Sequence, residues 1–219
     1  MSLGEEGIID TKAHQDVVSS IGKSRFHKGA LTTLTSPSDE YYGLPYHGWI
    51  QGIWYRKDWF DEKGLAAPNT WENIETAAKT LTDKANNQYG ILVGTKQDSY
   101  TEQVFTQLAL SNNASEFDAK GNLIFNSPAT LETIEYYKDL AQYNPPGPQN
   151  WRARDYYLQG KMAMFFYSTY IMDDLSLAEV AKGSLSSENF AELSGGTFDP
   201  ELVKNTAFAP IISHKSAAS

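Results

Sequence analysis

Short apolar runs alternate along the chain with longer segments in which apolar residues recur every three or four positions. The runs at 50–55, 91–93 and 162–166 have the length of buried strands and are bounded by turn residues. The segments between them have the spacing of one apolar helix face, most clearly at 72–81 and after Ser127. The pattern predicts an α/β fold in which the helix at 72–81 joins the first two strands as a strand-helix-strand unit.

Weaker patterns predict the remaining elements. These are a helix within 8–30 that stops at Gly22, a linker loop at 32–39, a short helix that stops at Gly64, a helix with Val104, Phe105, Leu108 and Ala109 on one face, a helix at 152–159, a short helix at 175–181, a flexible polar segment at 183–200 and a last strand at 207–212.

The start of the helix at 72–81 has two competing capping registers. Asn69 could cap with Glu72 at the third helical position, or Thr70 could cap with Asn73 in that place. Both registers predict the same helix. Trp71, at its start, is predicted to be a packing anchor rather than a ligand contact.

The next helix has a single predicted start, with Ser127 as the cap and Pro128 as the first helical residue. Its apolar stripe is predicted to comprise Leu131, Ile134, Tyr137, Leu140 and Ala141.

The segment 41–60 contains eight aromatic rings together with three glycines and one proline. Such a composition suits a strand that passes a concave ligand surface, but it also suits an aromatic core strand. Tyr46 and Trp49 stand beside glycines and favour the cleft, whereas Trp54 and Tyr55 fit either interpretation.

Two groups of residues, in their order along the chain, resemble the extracellular solute-binding proteins of carbohydrate ABC importers, the maltose-binding-protein-like group. The first group is Gly43-Leu44-Pro45-Tyr46, Trp54-Tyr55, Lys57-Asp58-Trp59-Phe60, Gly64-Leu65, Pro68 and Thr70-Trp71-Glu72. The second group is Phe125-Asn126-Ser127-Pro128, Tyr136-Tyr137-Lys138-Asp139-Leu140 and Gln159-Gly160-Lys161-Met162-Ala163-Met164. Each piece alone is a weak signal, and the order of all of them is a much stronger one.

The resemblance implies a periplasmic-binding-protein-like type II lobe, with a mixed sheet flanked by helices. It implies that 1–40 are the tail of a first lobe and a crossover linker, 41–212 a second lobe and 213–219 a tail towards further segments. Members of the family begin with a secretory signal, whereas Met1-Ser2-Leu3 has neither a basic start nor an apolar run. We therefore expect a fragment centred on the second lobe.

The resemblance also implies a function. Such receptors bind a saccharide between two lobes and deliver it to the membrane permease of an ABC importer, without catalysis and without a cofactor. The expected location is periplasmic or extracellular, associated with the cell surface.

Candidate ligand contacts follow from the fold and from the resemblance. Ligands of open α/β sheets bind outside the carboxyl ends of the strands, so the loop after 91–93 is expected to face the cleft. By position, Tyr100 matches an aromatic residue that stacks on sugar in the family. Tyr170 matches the aromatic residue after the Ala-Met strand, where the family often has Gly-x-Trp and this chain has Ser168-Thr169-Tyr170. The predicted ligand-binding residues are Tyr46, His47, Trp49, Asp98, Ser99, Tyr100 and Tyr170. For Asp98 and Glu102 a second interpretation has equal weight, namely that they cap the helix that follows and do not contact a ligand.

The composition of the chain argues against several classes of partner and ligand. The formal net charge of −9 argues against a nucleic-acid partner, which would require clustered Lys and Arg. The chain has no cysteine, and its four histidines do not have the spacing of metal ligands, so no metal site is predicted. No apolar run approaches the roughly 18 to 20 residues that span a bilayer.

Three alternatives stay open. A glycoside hydrolase would need two carboxylates about 5 to 10 Å apart, and Asp98 with Glu102 or Asp173 with Asp174 are candidates. A receptor for a non-sugar solute would share the fold. A protein-interaction module would use the aromatic residues for a different purpose.

Overall fold

The computed structural model describes residues 6–176, 193–210 and 212–214. Contacts divide the chain into two compact units, with the boundary between Trp49 and Ile50. The first unit contains α1 (Thr11–Ile21), a 3-10 turn (Lys23–Arg25) and α2 (Lys28–Thr33). Asp10 caps α1 and Gly22 ends it with φ 95°, as predicted for a glycine stop.

The second unit is an α/β structure. Its elements are β1 (Gln51–Arg56), α3 (Lys57–Lys63), α4 (Trp71–Thr80), a 3-10 turn (Lys84–Asn86), β2 (Tyr89–Leu92), α5 (Ser99–Ser111), α6 (Pro128–Ala141), a 3-10 turn (Trp151–Ala153), α7 (Arg154–Leu158), β3 (Met162–Ser168), α8 (Ile171–Ser176), α9 (Leu202–Asn205) and β4 (Thr206–Ala209). The predicted strands and the principal helices are confirmed to within a few residues at their ends.

The four strands form one mixed sheet in the order β2-β3-β1-β4. β3 pairs parallel with β2 and antiparallel with β1, and β4 pairs antiparallel with β1. As predicted, α4 lies between β1 and β2 in the chain, but β3 separates the two strands in the sheet and they run in opposite directions, whereas a strand-helix-strand unit has parallel strands. β3 is consequently paired on both sides, and five of its seven residues, Met162 to Phe166, are buried.

The buried face of α6 also differs from the predicted stripe. Leu131 and Ile134 are exposed, whereas Thr130, Thr133, Tyr136 and Leu140 are buried. The buried threonines are compatible with the core because each hydroxyl has a partner; that of Thr133 donates to the Ala129 carbonyl at 2.8 Å.

The segment predicted to be flexible and polar, 183–200, lies partly outside the described residues. In its described part, Leu193 and Phe198 are buried in the main core, so that part of the prediction is wrong. The predicted short helix at 175–181 begins earlier, as α8, and its residues from 177 on lie outside the described chain.

The structure selects the Thr70 capping register for α4. The Thr70 hydroxyl accepts a hydrogen bond from the Asn73 amide at 3.1 Å, while the Asn69 carboxamide accepts one from the side chain of Asn73 at 3.2 Å. We expect Thr70→Ala to lower the free energy of unfolding of the second unit by about 1 kcal/mol. Chemical denaturation followed by circular dichroism measures this. Asn69→Ala serves as the matched variant, and a larger loss for Asn69→Ala than for Thr70→Ala would contradict the assignment.

Candidate ligand-binding site

One edge of the sheet carries two of the segments that sequence reasoning placed near a ligand, the start of α5 and the loop after β3. Because β2 and β3 are parallel, their carboxyl ends share this edge, and antiparallel β1 starts there, with Gln51 opposite Ser168. Two hydrogen bonds join the start of β1 to the loop after β3. The Ile50 amide donates to the Thr169 hydroxyl at 3.2 Å, and the Thr169 amide donates to the Ile50 carbonyl at 2.9 Å.

Two glutamine side chains form a polar pair at this edge. The Gln51 carboxamide, at the start of β1, donates to that of Gln103, on α5, at 3.2 Å. Each carboxamide has more donors and acceptors than this one contact uses. The pair is therefore able to exchange hydrogen bonds with the hydroxyl groups of a ligand.

Asp98 and Ser99 stand at the start of α5. Asp98 is the N-cap, and its carboxylate accepts hydrogen bonds from the amides of Tyr100 and Thr101, both at 3.1 Å. The capping interpretation of Asp98 is thus confirmed. Ser99 is exposed at the first helical position.

Tyr100 lies inside the second unit rather than on its surface. It is 4% exposed, and its hydroxyl donates to the Phe166 carbonyl at 2.8 Å. Burial raises the pKa of this phenol well above its usual value. In this structure the ring offers no open face to a sugar, and its contact instead holds the start of α5 against β3.

Tyr170 follows β3 and is 46% exposed, and its amide donates to the Ser168 hydroxyl at 3.3 Å. Its position directly after the strand makes it an aromatic surface at the sheet edge, where the sequence predicted one.

The other three predicted residues belong to the first unit. Tyr46 is 94% and Trp49 53% exposed, and His47 is also exposed. His47 packs edge-on against both neighbours, with ring centroids 5.2 Å from Tyr46 and 4.6 Å from Trp49. These rings form a small exposed aromatic cluster.

Trp151 is a partly exposed aromatic residue that sequence reasoning did not single out. The Gln149 carbonyl accepts hydrogen bonds from the amides of Thr95 and Lys96, both at 3.0 Å, so the segment before Trp151 runs beside the loop that follows β2. Trp151 is 42% exposed. Its only sequence signal was an aromatic residue after a proline-rich turn, which does not reveal the partner loop 54 residues away.

Arg154 links Trp151 to the end of β3. Its guanidinium lies over the Trp151 ring at 5.4 Å from the centroid, and over the Tyr167 ring at 5.7 Å. It also donates to the Tyr167 hydroxyl at 3.3 Å and pairs with Asp174 at 2.7 Å. Burial raises the pKa of Tyr167, against the opposing effect of the arginine.

The candidate carboxylate pairs of a hydrolase have other partners. Asp98 caps α5, and Asp174 pairs with Arg154. Within the described residues, no three His, Cys, Asp or Glu side chains are grouped so as to hold a metal ion. The described helices include none with the length and apolar character needed to cross a membrane.

The sequence matches the bacterial extracellular solute-binding protein family over residues 9–193, and the chain belongs to this family. It is 37% identical over 172 residues to YcjN of Escherichia coli K12, whose name describes a periplasmic-binding protein of an ABC transporter; the match covers 78% of this chain and 40% of YcjN. The chain thus spans less than half the length of this relative.

Solved structures of sugar and polyol receptors share the fold. A solute-binding protein of an ABC transporter from Agrobacterium radiobacter K84, in complex with ribitol, has a TM-score of 0.70 and 23% identity, covering 93% of this chain and 48% of its own. Maltose-bound MalE3 of T. maritima has a TM-score of 0.69 and 18% identity, with coverages of 90% and 46%. The second unit is therefore built as a periplasmic-binding-protein-like type II lobe, a mixed sheet flanked by helices.

Proposed function

We propose that this chain contributes one wall of a saccharide-binding cleft in the receptor of an ABC importer. The observation that carries the proposal is the shared sheet edge, where the exposed Tyr170 follows the end of β3 and the Gln51–Gln103 carboxamide pair stands at the start of β1. Saccharides offer hydroxyl groups to amides and C–H faces to aromatic rings, so a wall of this kind suits them.

Tyr46, His47 and Trp49, which belong to the first unit, are proposed separately as ligand-contacting residues. Their rings are exposed, and each presents an aromatic face on which the C–H groups of a sugar can pack. Asp98 and Tyr100 act indirectly in this proposal, because the first fixes the start of α5 and the second anchors that helix to β3. Ser99 remains a direct polar candidate at the start of the same helix.

The receptor carries out no chemistry on its ligand. Closure of two lobes around the saccharide favours one conformation, and that conformation docks on the permease at the periplasmic or extracellular side of the membrane. A polyol is the second candidate ligand, since a similarly folded receptor was solved with ribitol. Polyols offer the same hydroxyl groups to the carboxamide pair.

Saturation-transfer NMR on the 219-residue chain tests the proposal, because it detects weak binding. The probes are methyl pyranosides, maltose and ribitol, with amino acids and polyamines as controls. We expect signal from saccharides or polyols only, with a dissociation constant above about 1 mM, because one wall supplies part of the contacts while the entropic cost of binding remains.

Two variants sharpen the experiment. Tyr170→Ala is expected to remove most of the signal, and Phe117→Ala, which truncates a different exposed ring, is expected to retain it. Signal from amino acids or polyamines alone would contradict the saccharide assignment. The absence of any signal would contradict ligand recognition by this chain. Binding with a dissociation constant below about 1 mM would contradict the proposal that the chain supplies only one wall of the cleft.

A further inference from the structure

Arg154 is a buried charged residue that contacts both sides of the connection between β3 and α8. This connection consists of Thr169 and Tyr170. One guanidinium nitrogen, Nη1, lies 3.3 Å from the hydroxyl of Tyr167, before the connection, and 2.7 Å from the carboxylate of Asp174, after it. A single side chain therefore joins the end of the strand to the helix that follows.

The ion pair of Arg154 with Asp174 lies largely out of contact with solvent. The side chain of Arg154 is 5% exposed and that of Asp174 is 12% exposed. The carboxylate of Asp155, also buried, lies 3.9 Å from the Nε atom of the same guanidinium. Salt and water screen such charges only weakly, so the guanidinium compensates both carboxylates. Removing one partner of a buried ion pair is accordingly much more costly than removing one partner of an exposed pair.

The connection anchored by Arg154 also reaches the start of β1. The Thr169 amide donates to the Ile50 carbonyl at 2.9 Å, and the Thr169 hydroxyl accepts from the Ile50 amide at 3.2 Å. Ile50 directly precedes Gln51, whose carboxamide contacts that of Gln103. The placement of the connection therefore affects the start of β1 as well as the exposed ring of Tyr170.

We propose that Arg154 is a positioning residue for the ligand-binding edge, which acts through Tyr167 and Asp174 on the connection and does not contact the ligand itself. The inference rests on the proposed function and deepens it. With both of its sides anchored, the connection loses little conformational freedom when a ligand binds, which favours affinity. The guanidinium is buried beneath the edge, so its effect reaches a ligand only through the connection.

Backbone ¹⁵N relaxation of the 219-residue chain tests the anchoring without any ligand. In Arg154→Met we expect the order parameters of the Thr169 and Tyr170 amides to fall from about 0.85, typical of rigid backbone, towards about 0.6, which marks flexible backbone. Those of Met164 to Phe166 in β3 should not change. Asp174→Asn should give a smaller fall at the same two amides. A residue that only stabilised the unit as a whole would lower its unfolding free energy and leave these native-state order parameters unchanged.

Ligand binding is compared in the saturation-transfer experiment with methyl pyranosides, maltose and ribitol. We expect Arg154→Met and Asp174→Asn to bind each probe that the wild-type chain binds at least about threefold more weakly. Arg154→Lys, which keeps the charge between the carboxylates, should recover part of the loss. Asp61→Asn is the matched control, because it breaks an exposed ion pair with Lys57 in α3, and it should change neither readout. Thermal melts establish that each variant is folded, and Asp174→Asn carries the test if Arg154→Met does not fold.

The outcomes separate the positioning role from the proposed function. Unchanged order parameters in both variants would show that Arg154 does not anchor the connection. Loss of order with unchanged ligand binding would show that binding does not depend on the anchoring. In both cases the saccharide site stands and the role of Arg154 is wrong. If the wild-type chain binds none of the probes, the proposed function fails and the positioning role fails with it.

Discussion

Replacing Trp71 by alanine is expected to lower the free energy of unfolding of the second unit by about 3–5 kcal/mol, the usual range for truncating a buried aromatic residue. Trp71 is 6% exposed and stacks on Tyr136, with ring centroids 4.1 Å apart and planes 8° from parallel. Its indole nitrogen donates to the Ser111 hydroxyl at 2.9 Å. One side chain therefore ties the start of α4 to α5 and α6, and alanine would leave a cavity among all three helices.

Urea denaturation followed by far-ultraviolet circular dichroism measures the loss, because tryptophan fluorescence changes with the substitution itself. Trp71→Phe keeps a ring against Tyr136 but lacks the donor to Ser111, so it should lie between wild type and alanine. Phe117→Ala, at a ring that is 54% exposed, should change stability by less than about 0.5 kcal/mol. A comparable loss for Trp71→Ala and Phe117→Ala would show that the stack contributes little.

Sequence patterns were most informative where the determining contacts are local. Ser127 accepts from the Thr130 amide at 3.2 Å, and Gly64 ends α3 with φ 64°, as predicted. Each signal involves residues within one helical turn, where the backbone groups left unpaired at a helix end find partners. Such contacts do not depend on how the rest of the chain folds.

Patterns failed where tertiary packing selects among local possibilities. The apolar residues Leu131 and Ile134 suggested one face of α6, but the stack of Tyr136 on Trp71 turns a neighbouring face inward. Thr133 is buried on that face because its hydroxyl has a partner in its own helix. A pattern of apolar residues cannot include a buried threonine of this kind, since its compatibility with the core depends on a hydrogen bond.

The candidate site was also predictable only in part, because tertiary contacts decide which of its side chains face outward. The rule that ligands lie at strand carboxyl ends, together with the family resemblance, located the edge with Ser99 and Tyr170. Neither could foresee that Tyr100 turns inward to bond to Phe166, nor that the chain before Trp151 returns to the loop after β2. Both facts depend on residues more than 50 positions apart.

Substitution of Gly90 is expected to cause the second large loss of stability, because at this position α4 packs directly on the backbone of β2. A β-carbon on Gly90 would collide with the carbonyl oxygen of Ala78 and would lie 2.6 Å from the Thr82 hydroxyl oxygen. That hydroxyl also accepts the hydrogen bond of the Gly90 amide at 3.0 Å. Neither neighbour is the end of a long flexible side chain, so either α4 or β2 would have to move.

We expect Gly90→Ala to lower the free energy of unfolding of the second unit by about 3 kcal/mol, at the upper end of the usual cost of overpacking. Urea denaturation measures it against Gly48→Ala, whose added β-carbon has no neighbour within 4 Å. Equal stabilities for the two variants would contradict the close packing of α4 on β2. Because β2 leads directly into the loop before Asp98, a displaced strand would also shift the sheet edge, so pyranoside binding should weaken in Gly90→Ala even where the variant remains folded.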